Sequence, residues 1–504
     1  MTSRWGFDPV IYELNTAAWL HDISVRTGRP TTLADVGTDE WDLVTPRGVD
    51  AVWLMGVWHR SSDGVWLALE SPSHLADFHA ALPDFQPPDV IGSAYSVAAY
   101  EVDPRLGGTA GLAAARRALV ARGLRLIVDF VPNHVAPDHP WVRTNPEYFV
   151  RGDNNDLERA PTAFLAAGEA IIARGRDPYF PPWPDVAQLD AFAPGLRQAA
   201  IDTLVEIGNI ADGVRCDMAM LMINEVFRRT WGDRVGPSPE AEYWSQVIAA
   251  VRAVHPEMLF IAEAYWDLEW QLQQLGFDYC YDKRLYDGLV HADREQIRGH
   301  LRADLDYQQH LIRFTENHDE PRASELGPAQ RRAAAVVIAT VPGATLWHEG
   351  QFEGWRVHVP VLLGRRPKER DDENLRAFHL RVIQAAHRIR RGDWAPCEVT
   401  GWPDNQSWQQ LLAWSWTDRE QRALVVVNYA DAAASAIVHT PWDDLAGRAW
   451  QLVDLLTDET YERDGEDVSG QGLYVALSNW GSHLFVWTSI RQELHETCID
   501  EEVR

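Results

Sequence analysis

Lysine is nearly missing from this 504-residue chain: only Lys283 and Lys368 occur, and arginine supplies the rest of the 46 basic residues. Against 74 acidic residues this leaves a net charge of −28, a field that repels phosphate backbones and anionic lipid surfaces. Nucleic-acid and membrane partners are therefore not expected. Cysteine is equally scarce. Cys216, Cys280, Cys397 and Cys498 lie far apart with no CxxC pair, which excludes a dense disulfide framework and a cysteine-based zinc site. They read as free thiols. No stretch offers the roughly 18 uninterrupted apolar residues of a membrane span, and no basic segment followed by an apolar run opens the sequence. A cytoplasmic protein is the expectation.

What the chain does contain is enough apolar material for packed cores, 46% hydrophobic with 24% charged, over a length that exceeds a single ordinary domain. Short apolar runs alternate with helical patterns through the first three quarters, the signature of βα units around a parallel sheet. Candidate strands run from Val10 to Leu14, Ala51 to Met55, Leu124 to Phe130, Gly213 to Asp217, Leu259 to Glu263, Ile312 to Thr315 and Ala344 to Trp347. Helical patterns at Gly111 to Arg122, Leu196 to Ile207 and Tyr243 to Val254 separate some of them. The number of units favours a closed (β/α)8 barrel over an open sheet, placed at 1–134 and 195–394. Residues 135–194 break the rhythm with Pro, Asn, Asp and aromatics, so they read as a small inserted domain after the third strand. Beyond the helix-like Glu373 to Arg391 come short strands, which predict a C-terminal all-β domain of sandwich type over 395–490 and a polar tail over 491–504.

In such a barrel the strand ends converge on one mouth, so residues remote in sequence can share a site. LRLIVDFVPNH brings Asp129, Asn133 and His134 to a strand end; GVRCD brings Arg215 and Asp217; LFIAEAYW brings Glu263; IRFTENHDE brings His318, Asp319 and Glu320. Cleavage of a glycosidic bond with retention needs one carboxylate to attack and a second carboxyl to protonate the leaving oxygen, about 5 to 5.5 Å apart. Neighbouring strand ends supply such a pair. Arg215, two residues before Asp217, points to the same strand face and would keep that carboxylate ionised.

The stretches DFVPNH, GVRCD, AEAYW and FTENHD, with AYSVAAYEVDPRLGG ahead of them, resemble the ordered signature regions of the α-amylase superfamily, glycoside hydrolase family 13. The resemblance implies a retaining hydrolase of α-linked glucans or malto-oligosaccharides, with Asp217 as nucleophile, Glu263 as acid/base and Asp319 as the carboxylate that holds ring hydroxyls. It makes Tyr95 a stacking platform, gives His134, Arg215 and His318 substrate contacts, and leaves Asp129 a structural role. No cofactor is required by it, and the one metal it would admit is calcium at Asn133. Alternatives are transglycosylation, isomerisation or phosphorolysis of short α-glucosides, and, remotely, a non-catalytic carbohydrate-binding scaffold. One departure stands out. Many amylases carry a Lys-His pair three and four residues after the nucleophile, where this chain has Met220 and Leu221, with Met218 and Met222 beside them. Trp141, Trp183, Trp266 and Trp355 are candidates for outer sugar subsites. Oligomeric state is not legible.

Overall fold

The computed structural model describes Trp5, residues 8–419 and residues 421–490, so the expected tail at 491–504, Cys498 included, lies outside the described residues. Eight parallel strands close a barrel: β1 (Val10–Asn15), β2 (Ala51–Met55), β3 (Arg125–Phe130), β4 (Gly213–Cys216), β5 (Leu259–Ala262), β6 (Tyr279–Tyr281), β7 (Leu311–Arg313) and β8 (Ala344–His348). Each pairs with its sequence neighbours, and β1 pairs β8 to close the ring. Strands covered on both faces read as unbroken apolar runs. AVWLM in β2 is buried at every position. β6 escaped the pattern reading because its run, YCY, holds no aliphatic residue and is bounded by Asp278 and Asp282.

Between strands, helices bury one stripe each. In Pro194–Ile210, Leu196, Ala200, Leu204 and Ile207 recur at helical spacing and are buried, and Pro at the first turn loses no hydrogen bond there. Tyr243–Val254 has the bounds expected from its pattern. After β3 comes the inserted region. It contains a two-stranded pair, His134–Val135 with Ala187–Gln188, and a three-stranded sheet of Arg151–Gly152, Ala170–Ala173 and Phe164–Ala167. Val135, Phe149, Ile172 and Leu189 form its small core.

A second compact unit gathers 288–302, 326–341 and the chain from 377 onward. Its strands are β9 (Asp393–Pro396), β10 (Glu398–Thr400), β11 (Leu411–Thr417), β12 (Arg422–Asn428), β13 (Ala434–His439), β14 (Ala449–Asp454), β15 (Thr460–Asp464), β16 (Leu473–Leu477) and β17 (Ser482–Ile490). They form a six-stranded sheet, β9-β11-β12-β17-β14-β15, and a three-stranded sheet, β10-β13-β16. Side chains of both sheets share one core, including Leu424, Val426, Trp450 and Phe485 from the first and Val438 and Val475 from the second. Helical segments join this unit through specific bonds. The indole N–H groups of Trp414 and Trp416 donate to the Thr340 carbonyl at 3.1 and 2.7 Å, and the Tyr429 hydroxyl donates to the Leu289 carbonyl at 2.8 Å. A division by sequence position alone, at residue 394, does not follow these contacts. Among the described residues no helix is long and apolar enough to cross a membrane.

Candidate active site

The register of β3, β4 and β5 continues one residue past the strands. Asp217 N–H donates to the Phe130 carbonyl at 2.8 Å, and Glu263 N–H donates to the Cys216 carbonyl at 3.0 Å. The two carboxyls therefore leave adjacent strands at the same level. Arg215, on the same face as Asp217, reaches both of them: Nη1 donates to Asp217 Oδ1 at 2.7 Å, and Nη2 lies 2.9 Å from Glu263 Oε2 and 3.7 Å from Asp319 Oδ2. The Nη2 contact with Glu263 lacks hydrogen-bond alignment and acts as charge proximity. Trp53, Tyr95 and Tyr281 ring the guanidinium, with centroids 5.4, 5.1 and 5.6 Å from Cζ, and keep water from it. In that low-dielectric surround each charge pair acts at greater strength than in water.

Burial raises the Asp217 carboxyl and Arg215 opposes the rise. For Glu263 burial comes first again, opposed by Arg215 and joined by the like charges of Asp217 and Asp319, so its pKa is pushed up to about 7. Its position is set by two donors: Met218 N–H at 2.5 Å from Oε2 and the Tyr265 hydroxyl at 3.2 Å from Oε1. Met218 takes a left-handed backbone, φ 42, to aim that amide. Trp266 and Asp267 after Glu263 also have positive φ, 65 and 59, so strain collects beside this carboxyl.

Past β7, His318 sits between two acids. Nδ1 pairs with buried Glu13 of β1, and Nε2 lies 2.8 Å from Asp319 Oδ2 and 2.7 Å from the Tyr95 hydroxyl. Burial would lower this imidazole, but Asp319 and Glu13 carry it well above its ordinary range and it is a cation. Asp319 is 44% exposed at the side chain, and its enclosed surroundings, which favour the neutral acid, are outweighed by His318 and Arg215, which hold it at about 2. Tyr95 stacks on His318 at 5.1 Å. Asp129 is spent on structure: Trp53 Nε1 donates to Oδ1 at 3.1 Å and Gly56 N–H to Oδ2 at 2.8 Å. Gly56 must be glycine, since a Cβ there would stand 2.6 Å from Arg60 Nη2 and φ is +76.

His134 is buried, and that burial lowers it to about 4, so it is neutral. Its Nδ1 accepts from Asn133 Nδ2 at 3.2 Å, which leaves Nε2–H to donate toward a ligand. The calcium expectation at Asn133 meets a different arrangement. Gln188 Nε2 donates to both its Oδ1 and its backbone carbonyl at 2.9 Å, and among the described residues no group of three or more Asp, Glu, His or Cys is placed to hold a metal. An amide already filling the oxygen's acceptor role does not fit a calcium ligand set, and the chemistry below uses none.

At the Lys-His positions, Met220 and Leu221 are buried, as is Met222, so only half-buried Met218 of this cluster reaches the mouth. Of the four tryptophans, Trp183 meets His134 edge-on at 5.3 Å, and Trp266 meets Tyr179 of the inserted region at 5.0 Å. Trp141 packs into the inserted core, and Trp355 is covered by Arg366 at 4.5 Å. The reading of motifs missed Glu13, Trp53, Tyr265 and Tyr281. Glu13 alone carried a signal, an acid inside an apolar strand.

No family model matches the chain. It is 25% identical over 453 residues to the α-amylase MalA of Haloarcula japonica, an alignment covering 84% of this chain and 56% of the relative. With the α-1,4-glucan:maltose-1-phosphate maltosyltransferase of Burkholderia pseudomallei it shares 25% identity over 439 residues, 83% of this chain and 34% of the relative. The chain thus spans about half or less of these relatives' lengths. The noncanonic maltogenic α-amylase AmyB of Thermotoga neapolitana superposes with a TM-score of 0.67 at 17% identity, covering 96% of this chain and 99% of AmyB. With four signature stretches in order on a closed barrel of this topology, the chain is similar to α-amylase-type enzymes over more than four fifths of its length.

Proposed function

We propose that the chain is a retaining glycosidase acting on α-1,4-linked glucans or malto-oligosaccharides, with Asp217 as nucleophile and Glu263 as acid/base. The observation that carries this reading is one guanidinium, Arg215, against both carboxyls while their surroundings treat them differently. Asp217 Oδ1 is held by Arg215, which leaves Oδ2 for attack on the anomeric carbon. Glu263, poised at about 7, passes its proton to the departing glycosidic oxygen. As a carboxylate it then takes a proton from the incoming acceptor, whose oxygen displaces Asp217 and restores the α configuration. Asp319 and His318 form an ion pair that binds hydroxyls of the sugar on Tyr95, and His134 donates a further hydrogen bond. A cytoplasmic setting belongs to this reading, supported by Cys216, Cys280 and Cys397 as free thiols.

Transfer to a sugar or phosphate acceptor is the second reading, favoured by the likeness to a maltosyltransferase and by the apolar Met218 where the acceptor would sit. Buried Met220 and Leu221 offer the leaving side no polar grip, so short oligosaccharides are preferred over starch. Product analysis with maltoheptaose tests both. Short α-anomeric sugars alone mean hydrolysis, products longer than the substrate mean transfer, and a first-formed β anomer rules out the retaining mechanism.

A further inference from the structure

Glu263 and Tyr265 stand two residues apart just past β5, the spacing at which an extended chain points side chains to one face, and the phenol hydroxyl lies 3.2 Å from Glu263 Oε1. The chain then reverses at once. Leu268 N–H donates to the Tyr265 carbonyl at 3.4 Å across Trp266 and Asp267, whose φ values of 65 and 59 follow the pattern of a type I′ turn. Such turns are ordinarily filled by Asn-Gly, and neither residue here is glycine. The Trp266 ring braces the turn against Tyr179 at 5.0 Å. Strain of this kind persists only where the surroundings over-determine it. We propose that Tyr265 is a positioning residue that makes Oε1 the oxygen of Glu263 that carries the catalytic proton. The proposal rests on the acid/base reading of Glu263 above.

The two oxygens of Glu263 have unlike neighbours. Oε2 takes the Met218 N–H at 2.5 Å and has Arg215 Nη2 at 2.9 Å. A hydrogen placed on Oε2 would meet the positive ends of both groups and displace one of them. Oε1 has, among the described residues, the Tyr265 hydroxyl as its hydrogen-bond partner. A phenol both donates and accepts, so it tolerates either state of the carboxyl. Burial first, then the charges of Glu263, Asp319 and Glu320, hold this phenol well above its ordinary range, so it keeps its own hydrogen throughout. Of the groups that face Glu263, namely Arg215, Asp217, Asp319, the Met218 amide and Tyr265, the phenol is the one at Oε1.

With Glu263 neutral, Oε1–H donates to the phenol oxygen, and the phenol turns its own hydrogen toward the charges of Asp319 and Glu320. A glycosidic oxygen entering beside Oε1 takes the place of the phenol as acceptor. The Oε1–H bond breaks as the hydrogen passes to that oxygen, the oxygen's bond to the anomeric carbon breaks, and Asp217 Oδ2 bonds to that carbon. Glu263 ends as a carboxylate and Asp217 as a neutral ester, so charge is conserved. The Tyr265 O–H then turns back to donate to Oε1, the contact seen at 3.2 Å, and holds the carboxylate where the acceptor returns a proton to it. Without the phenol Oε1 loses its guide but Glu263 keeps its charged neighbours. The proton transfer weakens, while attack by Asp217 does not.

Tyr265→Phe in the full chain keeps the ring and removes the hydroxyl. Two substrates separate the proton transfer from the rest, because fluoride leaves with little acid help. On maltotriose kcat/KM should fall about tenfold, while kcat/KM on α-glucosyl fluoride, which reports the first displacement alone, stays within about twofold. The alkaline limb near 7 of the maltotriose profile should move up by about half a pH unit to one, since the ionised carboxyl loses a donor. Equal losses on both substrates, or a limb that stays or moves down, overturn the role. Infrared difference spectra taken across the same limb, with the Glu263 carboxyl band assigned by its absence in Glu263→Gln, read the shift without turnover. An upward shift in a chain that turns over neither substrate supports the proton's place on Oε1 and sinks the catalytic reading. Turnover by the unsubstituted chain with no infrared shift in Tyr265→Phe does the reverse.

Discussion

At the barrel mouth charge is buried, whereas on the C-terminal sheet apolar rings are exposed. Glu13 and Arg215 have no solvent exposure and Glu263 has 3%, while Trp402 and Tyr474 stand 42% and 55% in the open. Each region inverts the ordinary placement of its residue types, and in opposite directions. Burying charge strengthens electrostatic work on a ligand and shifts protonation, which bond cleavage needs. Exposing rings provides contact area without altering any charge. Perturbing the first region should therefore change rates by orders of magnitude and perturbing the second should barely move rate or stability.

The largest effect is expected from Asp217→Asn. It removes the attacking carboxylate while keeping its shape, so initial rates on maltotriose should fall at least about ten-thousandfold with the thermal midpoint preserved. More than a tenth of the activity surviving, free of contaminating enzyme, would remove Asp217 from the role. Next is Glu263→Gln, for which oligosaccharide cleavage should drop about a thousandfold while α-glucosyl fluoride still labels Asp217. Added azide should restore turnover as an α-glycosyl azide, since it displaces the β-linked Asp217 from the face the natural acceptor uses. No rescue despite labelling would transfer the acid/base role elsewhere, although Glu316 is already committed to Arg322 at 2.6 Å and to Ala323 N–H at 2.7 Å.

The pH profile follows from Glu263. A general acid works only while protonated, so kcat/KM should be full below its pKa and decline as pH rises through about 7. A profile flat to pH 9 contradicts that assignment. Glu13→Gln should cost about ten- to a hundredfold in kcat/KM, because His318 loses one of the two acids that keep it cationic and its ring is less firmly placed. If the loss is a positioning effect, KM and the acid limb of the profile move together while the limb near 7 stays. The smallest effect belongs to Tyr474→Ala: chemical denaturation should register a change within about 0.5 kcal/mol, since the ring leaves no cavity. A loss of several kcal/mol would mean that the ring is structural and would erase the contrast between the regions.

Seven of the eight barrel strands were legible as apolar runs, and the catalytic candidates were legible because each terminates such a run within an ordered motif. β6 was not, since YCY holds no aliphatic residue and stands between Asp278 and Asp282, yet it delivers Tyr281 beside Arg215 at 3.4 Å. Tyr265 and Trp53 had no local mark, because nothing in an aromatic's sequence neighbours tells whether it packs in a core or touches a carboxylate. Trp402 and Tyr474 lie 72 positions apart in sequence, and only strand pairing and a braced turn bring them together.

The sequence by itself determined which acids could act and in what order they reach the mouth, because strand ends and residue identity are local properties. Tertiary structure decided their states. Glu263 is pushed up to about 7 by burial and by the like charges of Asp217 and Asp319 against the opposing pull of Arg215, while Asp319 is held at about 2 because His318 and Arg215 outweigh its enclosure. A pKa is set by burial and by charges within a few ångströms, and those distances exist only once the barrel has closed.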